Sequence, residues 1–267
     1  MKIIRYQDPD GLIGYAAEQA DGLPFCIRGD IFGAFEVTRQ PATVMRLLAP
    51  VVPPMIWCIG VNYRRHAQET GMAIPERPVV FAKGPNCLQD PGEPILIPRA
   101  AGTAELDYEC ELVVVIGKTA KDVSGEDALD FVLGYTCGND VSARDWQLRL
   151  GGSQWCRGKS FDTFAPIGPC LVTRESLPNP NALRLQTLVG GEVLQDWTTS
   201  DMIFDVPTLV SFLSQSTTLL PGTLIFTGTP QGVGMGRKPP RWLRAGEEVS
   251  IVIEGIGTLT NPVREES

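Results

Sequence analysis

Asp107-Tyr108-Glu109-Cys110-Glu111-Leu112-Val113-Val114-Val115-Ile116-Gly117 opens on acids and runs into five apolar residues, four of them β-branched. That composition and length predict a strand over Glu109–Gly117. Outward from it, similar short runs predict strands at Met55–Val61, Pro78–Lys83, Gly168–Thr173, Leu183–Val189, Thr223–Thr227 and Glu248–Glu254. Helical candidates are fewer: Tyr63–Glu69, Gly125–Phe131, Ala143–Leu150, Val206–Ser214 and a stretch around Thr43 to Leu48. Strands outnumber helices and no regular βαβ alternation occurs. The expected class is therefore α+β, mostly β, with a rolled or sandwiched sheet rather than a doubly wound one.

The first forty residues read as short strands joined by turns at Asp8-Pro9-Asp10-Gly11 and Asp21-Gly22. The Pro-rich segment Ala49–Pro54 reads as a boundary. It divides a small N-terminal subdomain, residues 1–50, from a main domain, residues 51–267. A net charge of −8 and a pI near 4.8 disfavour a polyphosphate partner, so nucleic acid is not expected. The basic cluster Arg237, Lys238, Arg241 and Arg244 is broken by Pro239 and Pro240, and reads as a solvated loop near a site for an anionic substrate. The seven cysteines are scattered, with no pair two residues apart, which fits free thiols in a reducing compartment. No secretory leader is evident at Met1–Asp8, and no apolar run reaches the roughly 20 residues that span a bilayer. A soluble cytoplasmic protein with no membrane partner is expected, with the mitochondrial matrix as the second location.

Alternation along a strand puts Glu109 and Glu111 on one face, about 7 Å apart. Adjacent carboxylates repel unless a cation or protons neutralise them. That spacing alone fits a wet strand end equally well. Asp140, after a short apolar run ending in a Gly138-Asn139 turn, adds a third acid. An oxygen-only set suits Mg²⁺, Mn²⁺ or Ca²⁺, and a chain with one histidine is poorly equipped for Zn²⁺. That histidine, His66, lies three residues before Glu69 in a short segment that Asn62 could cap and Gly71 could end. A carboxylate on the same helical face raises the basicity of an imidazole, as a general base requires, although an ordinary surface pair has the same spacing. Lys159, among Gly and apolar neighbours, could steer an enolate or carboxylate as a point charge. The glycine-rich Thr227–Gly234 loop lacks the endings of nucleotide-binding loops, and no Gly-x-Ser-x-Gly elbow occurs.

Taken in order, Asn62-Tyr63…His66-Ala67…Glu69, Glu109-x-Glu111, Asn139-Asp140-Val141-Ser142-Ala143-Arg144-Asp145, Gly158-Lys159-Ser160-Phe161-Asp162 and Thr227-Gly228-Thr229-Pro230 resemble the fumarylacetoacetate hydrolase family. The resemblance runs from about Ile56 to the C-terminus. It implies the family's mixed β-sandwich roll, a homodimer, and Mg²⁺ or Mn²⁺ on Glu109, Glu111 and Asp140. It implies Lys159 beside the cation and a His66–Glu69 base on a lid that closes over substrate. Arg144, Gln147 and Thr229 would hold substrate oxygens.

The implied substrate is a small anionic 2-oxo acid chelating the cation, which stabilises the enolate formed from it. Hydrolysis or decarboxylation of a C–C bond in an acylpyruvate, diketo acid or oxaloacetate is the leading expectation. The alternative is an isomerase or tautomerase using the same site, and a silent binding protein ranks last because the acids, His66 and Lys159 are all in place. The run Gly232–Leu243 is similar to members grouped with diketo sugar-acid hydrolases and with the oxaloacetate-tautomerising branch. Two departures stand out. Gly84-Pro85-Asn86-Cys87 replaces a segment where many members carry Ser, and Gly190-Gly191 replaces an Asn-Gly turn.

Overall fold

The computed structural model describes residues 1–19, 22–152 and 154–267. Two sheets carry the fold. The main path of the larger runs Phe35–Pro41, Pro24–Gly29, Ile13–Glu18, Lys2–Gln7, Ala165–Thr173, Val132–Asn139, Cys110–Ile116, Leu224–Phe226, Ile56–Gly60 and Val79–Lys83. The smaller runs Glu192–Thr198, Arg184–Val189, Glu248–Ile253, Gly257–Glu265 and Ile95–Ile97. The two pack face to face as the mixed β-sandwich roll expected from the sequence.

The deciding stretch lies at the centre of this stack. Cys110–Ile116 pairs antiparallel with Val132–Asn139 on one side and Leu224–Phe226 on the other. Leu112 to Ile116 are fully enclosed. Five such side chains contribute on the order of 10 kcal/mol relative to exposure, as an upper bound. The strand that carries Glu111 is thus among the best anchored in the molecule. The sheet also continues through the N-terminal residues, since Lys2 and Ile3 face Val172 and Leu171.

Val206–Ser214 is helical as expected, capped by the Asp205 carboxylate on the Thr208 amide. The helix expected over Tyr63–Glu69 spans Arg64–Thr70 and ends on Gly71 in the left-handed region, φ 69°. Asn62 does not cap it. Its side chain donates to the Phe204 and Thr227 carbonyls and accepts from the Phe204 amide, tying three segments together.

Other expectations are corrected. Thr43 to Leu48 holds no helix; Arg46–Leu48 pairs as a strand with Arg5–Gln7, because so short a segment gains more from a waiting strand edge than from one helical turn. Gly125–Phe131 shrinks to a 3₁₀ turn over Ala128–Phe131. Ala143–Leu150 divides, because Ala143 bridges to Leu106 and the Arg144 amide donates to Glu105 O, leaving a π-type turn over Trp146–Leu150. Gly138-Asn139 is no turn but the end of a strand, where the absence of a side chain at Gly138 lets Val113 and Phe226 pack. Gly190-Gly191 closes the hairpin between Arg184–Val189 and Glu192–Thr198 with both φ positive. Of the expected Asp21-Gly22 turn, Asp21 lies outside the described residues.

Candidate active site

The three acids named from the sequence converge. One oxygen from each of Glu109, Glu111 and Asp140 lies within 4.8 Å of the others, and all three residues are buried. The strand beginning at Cys110 supplies Glu111, the residue before it supplies Glu109, and the residue after Val132–Asn139 supplies Asp140. Lys159 Nζ bridges Glu109 Oε2 at 2.7 Å and Asp140 Oδ2 at 2.9 Å. Arg144 Nη2 donates to Glu109 Oε1 at 2.6 Å, Nη1 to Gln147 Oε1 at 2.8 Å and Nε to Asp107 Oδ2 at 2.9 Å.

These contacts set opposite protonation tendencies on adjacent acids. Burial pushes Glu109 up, but the Lys159 ammonium and Arg144 guanidinium outweigh it and hold the carboxyl well below its usual range. Glu111 is pushed well above its usual range, by burial first and then by the Asp140 and Glu109 carboxylates. For Lys159, burial acts downward, yet Asp140 and Glu109 keep the ammonium above its ordinary value.

The donor set can therefore be tested against a cation. Four buried carboxyl groups, Asp107, Glu109, Glu111 and Asp140, face three buried cations, Lys83, Arg144 and Lys159. With all four ionised one negative charge would be in excess, and Glu111, whose Oε2 accepts the Gly228 amide at 2.7 Å, is the acid that keeps a proton instead. Asp140 Oδ1 has Lys83 Nζ at 2.8 Å but no hydrogen bond, because that ammonium donates instead to the carbonyls of Val141, Lys159 and Phe164. A hard divalent cation fits this all-oxygen set. It would turn the excess into one positive charge, which suits an anionic ligand. Gly228 earns its place here: at φ +96° it delivers its amide to Glu111, and a Cβ would lie 2.7 Å from Asn62 Cβ.

His66 and Glu69 sit on the Arg64–Thr70 helix, with His66 Nδ1 3.5 Å from Glu69 Oε2. Both Glu69 oxygens accept the Gly232 amide, at 2.9 and 3.1 Å. The other end of the helix is tied by Arg64 Nη1 to the carbonyls of Asp201 and Met202 and by the Arg65 amide to Asp201 Oδ2. The Arg65 guanidinium lies 4.0 Å over the Trp197 ring.

Helix and acids flank a narrow cavity that opens to solvent. His66, Glu109, Glu111, Arg144, Gln147, Lys159 and Thr229 line it, and Phe81, Trp155, Leu148, Met72 and Met235 form apolar walls. Glu69 and Asp140 stand behind the lining, against His66 and Lys159. Thr229 Oγ1 accepts from Gln195 Nε2 at 2.9 Å. The basic cluster is partly committed, with Arg237 on Leu194 O and Arg241 paired to Glu247. At the departing segment, Asn86 Nδ2 donates to Ser160 O and Asp162.

Sequence reading missed Asp107, Lys83 and Gln195. Gln195 Oε1 accepts the Cys110 amide, between the two glutamates, and Thr187 Oγ1, while Nε2 reaches Thr229 and Pro230. None of the three carries a local pattern; only the length and burial of the Lys83 and Cys110 strands hint at them.

The sequence profile of the fumarylacetoacetate hydrolase C-terminal domain matches residues 55–264. The chain belongs to the fumarylacetoacetate hydrolase family. It is 49% identical over 235 residues to a fumarylacetoacetate hydrolase domain-containing protein 2 homolog of Dictyostelium discoideum, covering 85% of this chain and 76% of that one. It is 44% identical over 218 residues to a mitochondrial oxaloacetate tautomerase of Xenopus laevis, covering 81% and 68%. Among solved structures it superposes, over the whole of both chains, on a 5-carboxymethyl-2-hydroxymuconate delta-isomerase from Mycobacterium smegmatis with TM-score 0.87 and 39% identity. A fumarylacetoacetate hydrolase from Exiguobacterium antarcticum gives TM-score 0.89 at 37% identity, again over both whole chains. The chain is thus an enzyme of this family with a buried acidic triad. No described helix is long and apolar enough to cross a membrane.

Proposed function

We propose that this enzyme is a keto–enol tautomerase of a small 2-oxo dicarboxylic acid such as oxaloacetate, using Mg²⁺ or Mn²⁺ on Glu109, Glu111 and Asp140. One observation carries the reading. Glu109, Arg144 and Lys159 are committed to buried ion pairs, whereas His66 Nδ1 faces Glu69 with no hydrogen bond made. Tautomerisation asks for one mobile proton carrier, and His66 is placed to be it. The similarity to oxaloacetate tautomerases points the same way.

When bound, the cation would polarise the 2-oxo group and acidify the neighbouring C–H. The protein's own groups do the rest. Glu69, fixed by the Gly232 amide, faces and orients His66, so the imidazole takes a proton from C3 and returns one to oxygen. Lys159 offers fixed positive charge beside the developing negative charge. Gln147 gives its Oε1 to Arg144, leaving Nε2 for a substrate oxygen, and Thr229, accepting from Gln195, turns its own proton toward the cavity. Arg144 works by holding Glu109 and Gln147. The Arg64–Thr70 helix acts as the lid. The unpaired edge strand Val79–Lys83, with Val79 and Val80 exposed, offers a face for the homodimer. Seven free thiols suit the cytoplasm or the mitochondrial matrix.

C–C cleavage, which the sequence put first, is the second reading. The likeness to the Exiguobacterium antarcticum hydrolase and the apolar cavity walls favour it. Proton NMR in D₂O with Mg²⁺ and oxaloacetate separates the two. Faster deuterium entry at C3 without added pyruvate is expected; pyruvate formed as fast as oxaloacetate disappears would replace tautomerisation by decarboxylation.

A further inference from the structure

Asp107 is fully buried and does not line the active-site cavity, yet four donors converge on its carboxylate. Oδ1 accepts the amides of Tyr108 at 2.8 Å and Gly234 at 2.7 Å. Oδ2 accepts the Met235 amide at 3.0 Å and Arg144 Nε at 2.9 Å. The two sets of contacts lead to different parts of the site.

Through Arg144 the chain of contacts reaches Glu109 and Gln147. Through the two loop amides it reaches the Gly234–Gly236 turn, whose outer surface receives Glu69 of the lid. A Cβ on Gly236 would lie 2.5 Å from Glu69 Cδ, so the carboxyl rests directly on that turn. The neighbouring Gly232 amide binds the same carboxyl, and Tyr108 Oη donates to Gly232 O at 3.1 Å. The lid's seat is therefore pinned from beneath by Asp107 and Tyr108, and the cation floor is pinned from the side by the same Asp107.

We propose that Asp107 is a positioning residue that holds the acidic floor and the seat of the lid in one register. The proposal rests on the cation and lid roles given above. Its physical basis is the acceptor count: a carboxylate meets four donors with four lone-pair sites. An Asn in its place turns an NH₂ toward one of the two pairs of donors, so one end of the link must give.

The test uses the whole 267-residue chain and needs no substrate. Mn²⁺ binding is followed by electron paramagnetic resonance, and amide exchange is followed at residues 64–70 and 232–236. Wild-type protein that binds no Mn²⁺ would overturn the cation reading and this proposal with it. Given binding, Asp107→Asn is expected to weaken Mn²⁺ about tenfold and to speed exchange at both segments several-fold more than in the core strands. Gly236→Ala should free the lid while keeping Mn²⁺ affinity within about twofold, the size of an indirect effect. A change at only one end in Asp107→Asn, or acceleration spread evenly over the chain, overturns the proposal, the latter leaving Asp107 merely structural. Should Asp107→Asn not fold, Arg144→Lys cuts the link from the floor. Weaker Mn²⁺ with faster exchange at the Gly234 and Met235 amides supports the proposal, and unchanged amides there overturn it.

Discussion

Glu111 lies in a central strand, Glu109 and Asp140 adjoin the ends of that strand and its neighbour, and buried Lys159 and Arg144 hold two of the three acids at hydrogen-bonding distance. His66 and Glu69 ride on a seven-residue helix tied by backbone carbonyls, the Asp201 carboxylate, one ring contact and the Gly232 amide, with Arg64 and Arg65 in solvent. Ion pairs desolvated this far are costly to assemble and costly to break singly. Contacts at an exposed rim are worth about 1 kcal/mol or less each. The comparison teaches a division of labour. Under the proposed function, the floor is preorganised charge that stays put, and the helix is the lid that leaves and returns while carrying the proton.

Breaking the floor should have the largest effect. Asp140→Ala or Glu109→Ala is expected to abolish Mg²⁺ or Mn²⁺ binding and to lower turnover by ~10³-fold or more, several kcal/mol of lost stabilisation. Calorimetry with MnCl₂ beside a rate assay checks both, and full activity in either variant would remove the cation assignment. On the lid, His66→Ala should lower turnover by roughly 10²–10⁴-fold and leave Mn²⁺ affinity unchanged. Equal loss of both would erase the division.

Acidity sharpens the comparison further. Glu111 in the cation-free protein keeps its proton above the unfolded carboxyl value of 4.5. The folded state therefore binds more protons, and this contribution to stability is lost as pH rises through the raised value. Glu109 acts in the opposite sense, but its contribution is complete above 4.5 and fades only in stronger acid. Thermal melts between about pH 5 and 8 should thus show the cation-free protein weakening with pH and Mg²⁺ flattening the trend. The same slope with and without Mg²⁺ would contradict the raised proton affinity of Glu111. The smallest effect is expected at Arg65→Ala, which removes the contact over Trp197. About 0.5–1 kcal/mol is lost, read as a two- to fivefold change in kcat/KM with no change in Mn²⁺ affinity.

Much of the floor was legible in the sequence because strand alternation is a local rule. It put Glu109 and Glu111 on one face and left only a third acid to find. The His66–Glu69 spacing was legible for the same reason on a helix. Asp107, Lys83 and Gln195 were not, since their partners lie far away in sequence: Asp107 to Gly234, Gln195 to Cys110, Lys83 to Phe164. Nothing near Asp107 distinguishes an amide-binding carboxylate from a third wet acid at a strand end. The helix Trp155–Lys159 was missed because five residues with a central Gly158 offer no periodicity to read. Thr43 to Leu48 misled in the converse way, the helix expected there giving way to pairing with the edge of Lys2–Gln7.

The most direct test follows the enol of oxaloacetate by stopped-flow absorbance, with Mg²⁺ present and pyruvate detected enzymatically in the same mixture. A tautomerase speeds enol–keto equilibration while pyruvate appears no faster than without protein, and His66→Ala abolishes that acceleration. Pyruvate released in step with substrate loss, or acceleration that survives His66→Ala, would contradict it.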